Sequence, residues 1–270
     1  MIERNHRFGR LVFDRDAIVR AALRAYVEAI VANLPNSLSF AACNVPRWTG
    51  NLQRGAFYNG DGCGAYDVVA WTEAGVVGLA YELGFGPLEQ LGLSVDAVTG
   101  GPDDVRGALP GLPDELEPAL VMAVGMLGVG PEHGQRDAGV GFWLRGDHVA
   151  GTLFDDPTLL GVRRLAAWGL LHNGRLLPVC DPRTATIAAE RARTTDAPLH
   201  AIVDAVTDRR LAGPTELTTD EIATLIPKPP DPDRLLGAQR GLQKVGITWP
   251  GSPELPELPP KGPNPFLPKP

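Results

Sequence analysis

Two apolar segments rich in branched side chains, 66–71 (Tyr-Asp-Val-Val-Ala-Trp) and 76–82 (Val-Val-Gly-Leu-Ala-Tyr-Glu), stand only four residues apart. Val68, Val69, Val76 and Val77 are stiff at the first side-chain torsion and pack well on a pleated surface. Between the segments, Thr72-Glu73-Ala74-Gly75 is the short glycine-containing connection that a hairpin wants. The two segments are therefore expected to form the central antiparallel pair of a sheet. Just ahead of them runs Asn59-Gly-Asp-Gly-Cys-Gly64, expected to be a polar loop whose glycines permit tight or left-handed backbone.

Around this pair the chain reads as alternating elements. Residues 9–13 suit a short strand. From Ala17 to Leu34 apolar residues recur at Ile18, Ala22, Tyr26, Val27, Ile30, Val31 and Leu34, which predicts an amphipathic helix laid on the sheet. That spacing puts Arg20, Arg24 and Glu28 on the opposite, solvent side. Residues 39–44 are strand-like, Pro46–Gly50 reads as a turn or loop, and Ala56–Tyr58 as a further strand. A short helix fits 103–109, and a longer one opens at Leu112-Pro-Asp-Glu-Leu116, with acidic residues at the positive end of the helix dipole, and runs to about Leu127. Val140–Leu144 and His148–Phe154 form a second hairpin turned at Arg145-Gly146-Asp147.

Beyond residue 157 the pattern becomes helical. Helices are expected at 159–171, from Asp181-Pro182 to about Arg193, at 197–211, and at 234–244. Thr218 followed by Glu221 is a capping box for a short helix that stops at Pro227. From Pro250 to Pro270, nine of 21 residues are proline, a density that removes the amide donors of helix and sheet. The fold class predicted is α+β: an antiparallel sheet of hairpins with packed helices, then a mostly helical C-terminal portion and a proline-rich tail. The corresponding divisions are 1–180, 181–249 and 250–270, with no linker marking the first boundary.

Charge and cysteine content narrow the function. A net charge of −7 argues against a general binder of nucleic-acid phosphates and suits either solubility or a basic partner. Cys43, Cys63 and Cys180 form neither a disulfide framework nor a CxxC metal pattern, and are read as reduced thiols. Residues 1–8 lack the apolar core of a signal peptide, and the apolar run Leu120–Val129 is too short for a bilayer. A cytoplasmic protein without membrane contact is the expectation.

No dinucleotide or nucleotide phosphate loop, zinc-binding HExxH or nucleophile-elbow pattern is present, so no cofactor is predicted. The loop at 59–64 imitates the start of a calcium loop, but Cys63 stands at position 5 and Ala70 at position 12, where hard oxygen ligands belong. Asn59, Asp61, Asp67, Glu73 and Glu82 are the candidate binding residues. They are polar groups held on or beside a rigid hairpin, a good position for recognition. The enzymatic alternative is a glycosidase-like hydrolase in which two of the carboxylates flank a cleft.

The run Tyr58-Asn-Gly-Asp-Gly-x-Gly, then Tyr66–Trp71, a hairpin, and Leu112–Leu116 resembles bacterial immunity proteins of the broad SMI1/KNR4-like kind and neighbours of polymorphic toxins. The resemblance spans about 60 residues. Here the leucine-proline element follows the sheet, whereas in that pattern it precedes it. The resemblance implies a non-enzymatic protein that binds and neutralises a cognate toxin, in this case a basic toxin domain, through its sheet face and loops.

Overall fold

The computed structural model describes residues 2–6, 9–13, 15–32, 34, 46–60, 65–82, 102–127, 140–152, 197–228 and 230–252. At its centre is a six-stranded sheet in which every strand pairs antiparallel with its sequence neighbour. Ahead of it, β1 (Ile2–His6) and β2 (Gly9–Phe13) make a separate two-stranded hairpin, followed by helix α1 (Arg15–Ala32). The sheet comprises β3 (Arg47–Gly50), β4 (Gly55–Gly60), β5 (Ala65–Thr72), β6 (Gly75–Glu82), β7 (Val140–Arg145) and β8 (His148–Ala150). Between β6 and β7 come two short 3-10 helices, Pro102–Ala108 and Asp114–Leu116, and then α2 (Glu117–Leu127).

The sheet is buried on both faces, and so β5 reads as a nearly continuous apolar run. Val69 and Trp71 turn to one face, where they join Phe57, Val76, Phe142 and Leu144 under α1. Val68 and Ala70 turn to the other, where they meet Val77, Leu79 and Trp143 under α2. On the α1 side Trp48, Tyr26, Phe57 and Trp71 form an aromatic cluster with centroids 5.0–6.4 Å apart. Burying each of these rings contributes roughly 1.5–3 kcal/mol, and the tilted and edge-on contacts add to it.

The turn joining β5 to β6 explains a glycine. Gly75 has φ of 151°, and a Cβ there would lie 2.0 Å from the Leu144 carbonyl oxygen of β7. The strand neighbour therefore leaves no space for a side chain, and the extended left-side backbone angle disfavours one as well.

The C-terminal elements are α3 (Ala197–Ala212), β9 (Thr215–Glu216), α4 (Thr219–Leu225), α5 (Pro232–Lys244) and β10 (Ile247–Thr248). Both bonds of the Thr218–Glu221 capping box form, at 3.2 and 2.8 Å. Asp231 caps α5 by accepting from the Asp233 and Arg234 amides, with Pro232 in the first turn, so this helix starts two residues earlier than its apolar pattern indicates. Val203, Val206, Leu242, Val245, Ile247 and Trp249 enter the same core as α1 and the sheet. The helical C-terminal region thus closes the α1 side of the molecule.

Several local expectations are corrected. Pro46–Gly50 is not a loop: Arg47–Gly50 pairs with Gly55–Tyr58 as the edge strand β3, carried by the single buried side chain Trp48. Asn59 and Gly60 belong to β4 rather than to a loop, paired with Asp67 and Tyr66. Strand β8 ends at Ala150 instead of Phe154, because at Gly151 (φ 135°) the chain passes against the Gly141 carbonyl. Arg24 and Glu28 do not face solvent, since α3 covers them. The expected elements at 39–44, 159–171 and 182–193, the loop 61–64 and the tail beyond Ser252 lie outside the described residues.

Candidate functional site

Tight connections at 51–54, 73–74 and 146–147 turn the sheet at one end. Asn59 and Asp67 sit at the other end, directly opposite one another on β4 and β5. Strand alternation puts them on the α1 face with Phe57, Val69 and Trp71, and the next position in the row is Ala80 of β6. Asn59 is 0% and Asp67 4% exposed. The Oδ1 atoms of Asn59 and Asp67 are buried without a hydrogen-bond partner. Burial pushes the Asp67 carboxyl up to about 7, while hydrogen bonds from the Asn59 side chain and the Asp67 backbone amide pull it back down. The desolvation of the charged form wins, so near neutrality this carboxyl is a proton carrier.

The remaining candidates divide. Glu82 pairs in register with Ala65, one row beyond Asp67 and diagonal to it. Such diagonal positions are about 7–8 Å apart. Glu73 is exposed in the β5–β6 turn, six positions along β5 from Asp67, which at the rise of a strand is about 20 Å. It therefore cannot share a cleft with Asp67. Asp61 lies outside the described residues.

A second polar cluster escaped sequence reading. Arg24 of α1 donates to Glu28 Oε2 at 2.6 Å and to Asp204 Oδ1 of α3 at 2.6 Å. His200 Nδ1 lies 3.4 Å from Glu28 Oε2 and 3.4 Å from an Arg24 Nη2. These groups fasten α3 to α1 rather than line an opening, since Arg24 and Glu28 are both 2% exposed. The only advance signal was the i,i+4 spacing of Arg24 and Glu28, which is equally common on solvated helix faces.

Helix α2 carries a third feature. From Pro118 to Leu127 it has no polar side chain. Ala119, Leu120, Ala123 and Val124 face the sheet, whereas Pro118, Val121 and Gly125 are exposed, Val121 by 52%. Met122 and Met126 are half-buried at its flanks. Ion pairs Arg106–Glu117 (2.6 Å) and Arg145–Glu115 (2.5 Å) stand at its N-terminal end.

Among the described residues no group of three or more His, Cys, Asp or Glu is placed to hold a metal ion, and no helix is long and apolar enough to cross a membrane. Fold and site together define a three-layer α+β protein, an antiparallel meander braced by helices on both faces, with a buried Asn–Asp pair at one end. Comparison with known proteins finds no match, whether to a family model, a curated protein or a solved structure.

Proposed function

We propose that this protein works by binding another protein, and that the partner sits on the outer face of α2. The observation that carries this reading is the uncharged solvent face of that helix. A helix apolar all round is ordinarily enclosed, and exposed apolar surface rimmed by polar groups is characteristic of interaction sites. Val121 is the centre of the stripe, with Pro118 and Gly125 about one helical turn away on either side. The two ion pairs at its N-terminal end supply part of a polar rim. The concrete form proposed is immunity-type neutralisation of a basic toxin domain. It is supported by the resemblance carried by Tyr58–Trp71 and Leu112–Leu116 and by the net charge of −7, which would speed encounter with a basic partner.

The test is affinity capture from the native host with the wild-type chain and with Val121→Asp. A stoichiometric protein retained by the first and lost by the second, at equal melting temperature, is the expected result. Capture of no stoichiometric partner, or equal capture by both, refutes the reading.

The second reading, a hydrolase, is favoured by one specific feature: burial raises the Asp67 carboxyl to about 7, so part of it keeps its proton near neutral pH, as a general acid needs. Glu82 at the diagonal register position would be its partner carboxylate. Binding ranks first because a substrate would have to reach a side chain that is 4% exposed.

A further inference from the structure

We propose that the segment seated on α2 is a basic amphipathic helix, its apolar face along Val121 and its cationic end over the acidic N-terminal end of α2. The proposal rests on the reading of α2 as a docking face and adds the chemistry and direction of the occupant. The stripe from Pro118 through Val121 to Gly125 runs about 10 Å along the helix. At Gly125 no neighbouring atom lies within 4 Å of where a Cβ would stand. A straight ridge, bare to the backbone at one point, suits the packing of a second helix, whose axis can approach to about 8–10 Å. An extended strand would instead need a free sheet edge.

Charge is unevenly placed around this ridge. Ala74 packs into the core beneath α2, which brings the exposed Glu73 of the β5–β6 turn to that side of the sheet. A Cβ at Gly75 would lie 3.1 Å from Leu116 Cδ2, so the same turn borders the segment Asp114–Leu116 ahead of α2. Arg145 joins the β7–β8 turn to Glu115. Glu73, Asp114, Glu115, Glu117 and Asp147 therefore gather at one end of α2, against Arg106 and Arg145. Both arginines already hold glutamates, in pairs whose side chains are close to half exposed. Ion pairs so solvated contribute little to stability and can exchange partners. Of the other cations at this end, Arg15 donates on the α1 side to the Thr72 and Gln53 carbonyls, and Arg54 sits on the β3–β4 turn, further along the sheet. The excess of carboxylates selects a cationic occupant. Because the middle of the ridge is uncharged, the attraction acts at one end only and sets the occupant's direction.

The test is titration calorimetry of the full chain with two synthetic helical peptides sharing one alanine–leucine face, one ending in a cluster of lysines and the other in glutamates. The lysine peptide should bind at least about tenfold more tightly, by a margin that shrinks as salt is raised. Glu73→Gln with Asp114→Asn should weaken the lysine peptide about threefold to tenfold and remove part of its salt dependence, with the fold checked by its melting temperature. Val121→Asn should abolish binding. Equal affinity for the two peptides, or an affinity that the doubly neutralised variant leaves unchanged, overturns the basic helix. If Val121→Asn still abolishes binding in those cases, the docking face stands and only the chemistry of its occupant is refuted. Binding of neither peptide, or binding that survives Val121→Asn, also overturns the proposal, and the docking face is then judged by the capture experiment. A dimer of this chain that Val121→Asn dissociates would make the occupant a second copy, which overturns it as well.

Discussion

Asp67 holds a proton that an unfolded chain would release. Its folded pKa of about 7 lies above the ordinary 3.8, so between these values the native state binds the proton and the unfolded state does not. Stability from this group is fully present below about pH 4, declines as pH rises toward 7, and is level above that. At about 1.4 kcal/mol per unit the difference is on the order of 4 kcal/mol. Asp67→Asn should remove this slope, leaving the variant more stable than wild type at pH 8 and close to it at pH 4. Urea unfolding at the two pH values measures the change, and an unaltered slope in the variant would assign the pH dependence to other groups. The strand alternation of Asp67 with Val69 and Trp71 was legible in the sequence. Its burial was not, because alternation names a face without saying what covers it.

Between elements, the same kind of ion pair has two different consequences. Arg24 pairs with Glu28 on its own helix and bridges α1 to α3 through Asp204 with its side chain 3% exposed, while Arg20 reaches Asp208 from a side chain 48% exposed. Removing one member of a buried pair leaves its partners uncompensated, at about 3–5 kcal/mol. An exposed pair is solvated and screened, and contributes about 0–1 kcal/mol. Arg24→Met should therefore lower the melting temperature by roughly 10 °C, and Arg20→Met by less than about 3 °C. Thermal melts of the two single variants check this, and equal shifts would show that the α1–α3 contact does not depend on the buried network. Periodicity had located α1 correctly within two residues at each end. It misplaced Arg24 and Glu28 because the covering helix begins at residue 197, far outside any local window.

For the molecule as a whole, the C-terminal elements share one core with the sheet. Tyr26 of α1 donates its hydroxyl hydrogen bond to the Gly241 carbonyl of α5 at 3.0 Å, and Val206, Leu242 and Trp249 pack into the same cluster as Phe57 and Trp71. A chain ending at residue 196 would expose the apolar side of α1 together with Arg24 and Glu28, and should not give a cooperatively folded monomer. One ending at Ser252 keeps Trp249 in place, including the 2.8 Å bond from the Ser252 hydroxyl to the Trp249 carbonyl. Its melting temperature should lie within about 3 °C of the full chain, since a proline-rich extension is poorly suited to bury apolar area. Circular dichroism melts and size-exclusion profiles of the two truncations decide. A cooperative transition in the shorter chain would make the helical region a separate unit, and a drop of ten degrees in the longer one would mean that the tail packs.

The sequence by itself determined what local chemistry controls. Branched residues on either side of Thr72–Gly75 set the central hairpin, three-four periodicity set α1, and the Thr218–Glu221 spacing set a capping box. Each is decided by interactions within a few residues, and each is expressed directly in composition and spacing. Tertiary structure decided the rest. It made Arg47–Gly50 a strand by supplying β4 as a partner, and it drew Asn59 out of a glycine-rich run into register with Asp67. It also buried Arg24 under α3 and left Val121 outside, although one is charged and the other apolar. Burial depends on which surfaces meet across large sequence separations, and side-chain polarity only biases that outcome.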